Sequence, residues 1–130
     1  MEKKLISSGT IWEKNFGYSR AVKIGNMIFV AGTTAVDENG NITGLNDAYK
    51  QAIFIYKKIE KALHQAGAEM KDVVRVRTFV TQISQCEQVL KAQGEIFANI
   101  RPAATLVEIS ALIQPELLVE IEADAVIFDF

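Results

Sequence analysis

The chain has 130 residues, 49% of them apolar, which is enough for the core of a single domain spanning residues 1–130. Its 14 Lys and Arg residues nearly balance 16 Asp and Glu residues, so the net charge of −2 gives no reason to expect a nucleic-acid partner. No apolar run reaches the roughly 20 residues that a membrane span needs. The only cysteine, Cys86, cannot form an internal disulfide, so we expect a cytoplasmic protein.

The first half of the chain predicts a hairpin followed by a helix. Residues 20–32, RAVKIGNMIFVAG, alternate around Gly25-Asn26, a pair that suits a two-residue turn between strands. A helix is predicted from Asn46, as its N-cap, to Gly67, because apolar residues recur there at spacings of three and four. Its apolar stripe comprises Ala48, Ala52, Ile55, Ile59 and Leu63.

The second half begins with a strand over 73–81, VVRVRTFVT. One predicted face carries Val74, Val76, Thr78 and Val80, and the other carries Arg75, Arg77 and Phe79. Ser84 and Glu87 match the capping-box pattern and predict the start of a second helix, which Pro102 ends. The residues expected to point inward from that helix are Val89, Leu90, Gln93, Ile96 and Phe97.

Two strands are predicted at the end of the chain, in RPAATLVEIS (101–110) and LLVEIEADAVIF (117–128). Alternation in the first predicts Thr105, Val107 and Ile109 toward the core, with Ala104, Leu106, Glu108 and Ser110 on the other face. In the second it predicts Val119, Ile121, Ala123, Ala125 and Ile127 toward the core, with Glu120, Glu122, Asp124 and Val126 on the other face.

This order of elements predicts an α+β fold, with a mixed β-sheet of five or six strands and two helices packed on one face. The segment MIFVA is apolar at every position, which is typical of a strand buried on both sides. Two helices cannot cover the second face of such a sheet. We therefore expect self-association, because a large exposed apolar patch is uncommon on a monomer.

The uncovered face also carries acids and arginines, and two interpretations of them remain open. In the first, these charged residues form structural ion pairs. In the second, one of the carboxylates lies in a cleft, where it holds a water molecule or moves a proton. Spacing does not choose between Glu120 and Glu122. His64, the only histidine, falls on the polar side of its helix, and Cys86 has no matching histidine to act as its base. We predict neither a metal site nor a cofactor.

Three segments, YSRAVKIGNMIFVAG, RPAATLVEIS and VEIEADAV, resemble the Rid family, also called YjgF, in order and spacing over nearly the whole chain. The resemblance implies a chorismate-mutase-like fold and a homotrimer whose sheets form an inner barrel with clefts between subunits. It also implies hydrolysis of reactive imines and enamines, such as 2-aminoacrylate, to ketones and ammonia. A small-molecule metabolite is then the expected partner.

The resemblance also implies site residues. The family's water-orienting glutamate falls on Glu120, and its tyrosine before the first strand falls on Tyr18. The residues that match the end of the second strand are Ala31 and Gly32. The residues that follow the Pro-Ala dipeptide, and that are expected to line the cleft, are Ala104, Thr105 and Leu106.

The sequence departs from the deaminase pattern at three positions. Ala104 replaces an arginine that pairs with a substrate carboxylate, Leu106 replaces a cysteine, and Leu90 replaces an asparagine of the second helix. An alanine cannot make the two-pronged contact of a guanidinium. Other arginines that a carboxylated substrate could use are Arg20, Arg75, Arg77 and Arg101, of which Arg101 is adjacent in sequence.

Three functional hypotheses follow. The protein is an imine or enamine hydrolase with a non-standard substrate range, a trimer that binds a small metabolite without turnover, or a hydrolase of an amide- or carbamate-like intermediate. Nucleic-acid cleavage has been attributed to certain relatives, but the charge balance does not favour it.

Overall fold

The structure, a computed structural model, describes residues 2–128. The strands are β1 (Lys3–Ile6), β2 (Ala21–Ile24), β3 (Met27–Thr33), β4 (Val73–Val80), β5 (Ala103–Glu108) and β6 (Val119–Val126). The α-helices are α1 (Ile11–Phe16), α2 (Ala48–Gln65) and α3 (Cys86–Phe97), and short 3-10 turns occupy Met70–Asp72 and Ile83–Gln85.

The six strands form one mixed sheet in the order β1-β2-β3-β6-β4-β5. Every neighbouring pair is antiparallel except β4 and β5, which are parallel and connected through α3. Strand β5 pairs only with β4 and forms one edge of the sheet. The predicted α+β class, the mixed sheet of five or six strands and the hairpin around Gly25-Asn26 are confirmed.

The core lies between one face of this sheet and helices α2 and α3. The predicted stripe of α2 is confirmed, since Ala48, Ala52, Ile55, Ile59 and Leu63 are all buried. They pack with Ile28 and Val30 of β3 and with the inward residues of β6. Burial of apolar surface of this kind stabilises a fold by about 25 cal/mol per Å².

Two predicted helix starts are wrong in detail. Helix α2 is capped by Asp47, whose carboxylate accepts a hydrogen bond from the Lys50 N–H at 2.9 Å, while Asn46 has a φ of 59° and lies outside the helix. Ser84 does not cap α3, because it lies within the 3-10 turn Ile83–Gln85. That turn delays the helix to Cys86, and the N-cap Gln85 makes no side-chain capping bond.

The predicted faces of β5 are inverted. Its parallel register sets Ala104 beside Val76 and Leu106 beside Thr78, two residues that are buried under the helices. Ala104, Leu106 and Glu108 therefore lie on the helix side of the sheet, and Leu106 packs against the core. Thr105 and Val107 lie on the uncovered face. Both faces of this edge strand carry apolar residues, so alternation alone could not assign them.

Other corrections concern the N-terminal region, β4 and α3. A register shift between Val73 and Arg75 puts Val73 in the core and leaves Val74 42% exposed, contrary to the predicted face. A bulge of this kind reverses the alternation of a strand at one point. Leu90 was predicted to point inward but is 42% exposed. The segments β1 and α1 were not predicted, because both are short and mostly exposed.

Within residues 2–128, no helix combines the length and the apolar character that a membrane crossing requires.

Candidate functional site

The face of the sheet opposite the helices, called here the uncovered face, has an apolar end and a charged centre. The apolar end carries Leu5, Val22, Ile24, Met27, Phe29 and Val126, and the charged centre carries Arg75, Arg77, Glu120, Glu122 and Asp124. Leu5 is 60% exposed, Met27 44% and Phe29 41%. The described part of the chain therefore leaves this apolar end open to solvent.

Two of the three central acids form ion pairs with Arg77. Its Nη1 lies 3.5 Å from Oε1 of Glu122 and 3.3 Å from Oδ2 of Asp124. Partly exposed pairs of this kind contribute little stability, typically about 0–1 kcal/mol. The structural interpretation of the acids thus applies to Glu122 and Asp124, and it leaves Glu120 apart.

Glu120 lies beside the end of β3, where the pairing with β6 shifts register between Val30 and Thr33. Its carboxylate rests on Gly32, because a β-carbon added to Gly32 would lie 3.0 Å from both Cδ and Oε2 of Glu120. The carboxylate makes no hydrogen bond or ion pair with any other residue in the range 2–128. Burial raises the pKa of Glu120, Arg20 opposes that rise, and Glu122 adds to it.

Arg20 joins Glu120 and Gly32 from the neighbouring strand. Its Nη2 donates a 2.6 Å hydrogen bond to the carbonyl oxygen of Gly32, and its Cζ lies 5.9 Å from the centre of the Tyr18 ring. Burial lowers the pKa of Arg20, and the nearby Tyr18, Glu13 and Glu120 counteract this. We call Tyr18, Arg20, Gly32 and Glu120 the Glu120 site.

An open groove of about 610 Å³ lies next to this site on the uncovered face. Tyr18, Ala31 and Phe29 contribute to its walls, and Arg77 with Glu122 forms its charged side. Glu120 itself is not part of the lining. The groove follows the sheet surface and stays open on one side, so it is a candidate binding surface rather than an enclosed pocket.

The remaining residues that the resemblance placed in the site lie elsewhere in the same chain. Ala104 and Thr105 are exposed on β5, and Arg101 precedes that strand with a φ of 61°. Leu106 packs toward the core and Leu90 is exposed on α3. Strands β3 and β5 are separated by β6 and β4, which amounts to about 14 Å at the usual strand spacing. One chain therefore holds these residues in two separate groups.

The residues around the Glu120 site include two that sequence reasoning missed. Lys58 of α2 donates hydrogen bonds to the carbonyl oxygens of Thr34 and Val36, at 2.8 and 2.9 Å, and so fixes the segment after β3. Burial and the positive charge of Arg20 lower its pKa to about 8. The sequence did not indicate a role for Lys58, because its acceptors are backbone carbonyl groups of residues 34–36. Those groups come close to Lys58 only in the folded chain.

Glu13 is the second residue that was missed. It is buried in the short helix α1, where its carboxylate accepts hydrogen bonds from the hydroxyls of Ser7, Ser8 and Thr10 and from the Ser8 N–H at 3.2 Å. Burial raises and these hydrogen bonds lower its pKa, with a net lowering. A carboxylate with this many donors is held as an anion that orders the N-terminal segment.

Among residues 2–128, no three or more His, Cys, Asp or Glu side chains come together in a way that could hold a metal ion.

The mixed sheet with one bare face and an unpaired, half-buried carboxylate on that face defines an α+β protein with a candidate acid–base site. The family model described as Endoribonuclease L-PSP matches residues 13–127. A Mycobacterium tuberculosis protein described as a member of the YjgF/YER057c/UK114 family is 44% identical, with 97% of this chain and 100% of that chain covered and a TM-score of 0.88. The chain belongs to the Rid family, also called YjgF, and the resemblance seen in its sequence is confirmed.

Two further relatives bear on function. A Yersinia pestis member of the Rid family, described as of unknown function, is 30% identical, with coverage of 97% and 100% and a TM-score of 0.86. The protein named 3-aminoacrylate deaminase RutC from Acinetobacter baylyi is 30% identical over 108 residues, which are 83% of this chain and 85% of that one.

Proposed function

We propose that this protein hydrolyses an imine or enamine of a small metabolite and that Glu120 is its acid–base residue. The observation that carries the proposal is the state of the Glu120 carboxylate. It is half-buried against Gly32 and free of the ion pairs that hold Glu122 and Asp124. Burial raises its pKa. A carboxyl group whose pKa is raised in this way accepts a proton more readily than one held as an anion by an ion pair.

The chemistry requires little beyond positioning and proton transfer. Water adds to the carbon of a C=N group, and Glu120 accepts a proton from that water as the C–O bond forms. That proton then goes to nitrogen and gives a carbinolamine. The hydroxyl proton of the carbinolamine moves through Glu120 to the same nitrogen as the C–N bond breaks, and a ketone and ammonia are released. An enamine first accepts a proton at carbon from protonated Glu120, which gives the iminium ion and leaves Glu120 as the carboxylate that takes a proton from water. The balance is one imine and one water for one ketone and one ammonia.

The substrate class is supported by the relatives and by the walls of the groove. RutC of Acinetobacter baylyi is named for a deamination of 3-aminoacrylate, which is an enamine. The groove beside the Glu120 site presents Tyr18 and the small Ala31, which suits a small planar molecule. Because Ala104 and Leu106 depart from the family's deaminase pattern, the proposal includes a substrate range that differs from that of the typical deaminases.

We further propose that the working form is a homotrimer in which a neighbouring copy covers the uncovered face. The exposed Leu5, Met27 and Phe29 support this assembly. In it, the β5 region of one copy would complete the Glu120 site of the next. That second half of the cleft comprises Leu90, Arg101, Ala104, Thr105 and Leu106.

The proposal is tested with an imine made in place by an amino-acid oxidase acting on alanine, with catalase present, while pyruvate release is followed. The protein should accelerate release in proportion to its concentration. Glu120→Gln should abolish most of the acceleration, whereas Glu60→Gln, an exposed change on α2, should leave it intact. No acceleration over buffer, for imines with and without a carboxylate, would favour the trimer that binds a metabolite without turnover.

A further inference from the structure

Arg20 is an unusual arginine because it is only 9% exposed on a face that is otherwise open. Its backbone fixes it between two strands, since its N–H donates to the Ile6 carbonyl at 2.8 Å and its carbonyl accepts from the Ala31 N–H at 3.0 Å. Its neighbours in β3, Ala31 and Gly32, are small, and its side chain reaches the carbonyl oxygen of Gly32. These contacts hold Arg20 beside Tyr18 and Ala31, which line the groove, although Arg20 itself is not part of that lining.

The donors of this guanidinium are mostly unused. A guanidinium has five N–H donors, yet Nη2 to the Gly32 carbonyl is its one hydrogen bond within residues 2–128. Nε is fully buried and has no acceptor there. A buried donor without a partner is costly, and native structures contain few of them. The unused donors of Arg20 therefore call for an acceptor that the described residues do not provide.

The nearby charges do not supply that partner. Glu13 is the closest acid on the N-terminal side, but its carboxylate is already occupied by Ser7, Ser8 and Thr10. Glu120 attracts Arg20 electrostatically, but the two form no ion pair within 4.0 Å. More than 4.0 Å therefore separates the guanidinium nitrogens of Arg20 from the carboxylate oxygens of Glu120, the proposed acid–base residue.

We propose that Arg20 takes over the carboxylate-binding role that Ala104 cannot fill, so that imines and enamines with a carboxylate remain substrates. This inference rests on the proposed function of Glu120. A carboxylate offers two oxygens to the parallel N–H groups of an arginine. In a 2-imino or 3-amino acid the reacting carbon is one or two bonds from that carboxylate. Contact with Arg20 would therefore set the carbon next to Glu120, with the Tyr18 ring beside it.

Arg20 is thus a substrate-binding residue that sets specificity, and its removal should affect substrates selectively. Arg20→Gln should lower kcat/KM about tenfold or more for the imine of alanine, the range expected when a hydrogen bond to a charged group is lost. The imine of benzylamine, made in place by an amine oxidase, lacks a carboxylate and should change by less than about twofold. Arg20→Lys keeps the charge without the fork and should recover only part of the loss. Lys57→Gln, an exposed change of equal charge on α2, is the matched control.

A binding measurement separates failure of this inference from failure of the proposed function. Propionate is an unreactive carboxylate, and calorimetry should show that it binds the wild type and not Arg20→Gln. If the wild type hydrolyses neither imine but binds propionate through Arg20, the carboxylate-binding role of Arg20 is supported and the proposed hydrolase activity is refuted. If both imines lose rate equally in Arg20→Gln, or if propionate binding survives in it, Arg20 is only a structural brace for Gly32 and the inference is wrong. Absence of both hydrolysis and binding overturns both.

Discussion

The carboxylate of Glu120 lies against Gly32, next to the space that a β-carbon at this position would occupy. A β-carbon at position 32 would meet its Cδ and its Oε2, each at 3.0 Å. The contact is close because β3 and β6 shift register at this point, which brings a side chain of one strand onto the backbone of the other. Gly32 therefore controls where the proposed acid–base group can lie.

Gly32→Ala should reduce activity without unfolding the protein. The added methyl group meets the end of a flexible side chain, so Glu120 moves aside while the backbone stays in place. A displacement of about 1 Å can cost a reaction roughly a hundredfold. We expect imine hydrolysis to fall at least tenfold while the thermal midpoint stays within a few degrees. Gly94→Ala adds a methyl group in open space on α3 and should keep full activity. Full activity in Gly32→Ala would contradict the assigned geometry.

Glu120→Gln should be less active but more stable than the wild type at neutral pH. Its folded pKa lies above the ordinary 4.5, so the folded state binds protons more tightly than the unfolded chain. The free energy of unfolding thus falls as pH rises from 4.5 through the folded pKa, and glutamine removes this loss. Urea unfolding should give the variant a larger free energy of unfolding than the wild type at pH 7. Below pH 4.5 the two values should be equal. A larger loss of rate in Glu122→Gln than in Glu120→Gln would transfer the role to Glu122.

Lys58 should make stability depend on pH in the alkaline range. Its pKa is lowered from 10.5 to about 8 in the folded protein. Between these values the unfolded chain binds more protons, so stability should rise with pH from about 8 to 10.5. Lys58→Met should lack this rise, and Lys57→Met, at an exposed neighbouring position, should retain it. Chemical unfolding across this range measures the difference. Parallel curves for the wild type and Lys58→Met would refute the prediction.

Tyr56→Phe should stabilise the fold. The Tyr56 hydroxyl is buried without a hydrogen-bond partner in the described residues, while its ring packs edge-on against Phe97 at 5.3 Å. Phenylalanine keeps the ring contact and removes the unsatisfied hydroxyl, a gain of about 1 kcal/mol. Tyr49→Phe is the control, because that exposed hydroxyl is bonded to Glu95 and its loss should give no gain. Lower stability in Tyr56→Phe would show that the hydroxyl has a partner.

Phe29→Lys should dissociate the proposed trimer. Phe29 is 41% exposed on the uncovered face and lies opposite Asp124 on β6, so a lysine is tolerated in one chain but places a charge in the subunit contact. Sedimentation should show trimers for the wild type and single chains for the variant, with activity lost in parallel. Leu45→Glu, at an exposed position before α2, should stay assembled. A wild type that sediments as single chains would refute the assembly.

The sequence predicted the elements with strong periodicity and a clear burial contrast. The stripe of α2 and the alternation of β6 were read correctly, because each has one face in the core and one outside it. The order of the sheet was not readable, since β6 enters between β3 and β4 through contacts distant in sequence. That insertion is what brings Glu120 to Gly32 and Arg20.

Errors arose where one residue or one partner decides the outcome. Alternation in β5 shows which residues share a face but not which of the two faces meets the helices. Only its pairing with β4 shows that Leu106 faces them. Val74 was misplaced by a bulge, and Ser84 by a 3-10 turn that a capping pattern does not reveal. Arg20 was among four arginines considered, and its burial and unused donors are visible only in three dimensions.

The position of β5 at the rim of the sheet has a consequence for measurement. One edge of this strand is held by β4, and the other has no strand beside it in the described chain. In an isolated subunit, its amide protons should therefore exchange with solvent deuterium at a higher rate than those of β3 or β6. Slow isotope uptake at 103–108 in the native protein would report that a neighbouring copy shields this rim.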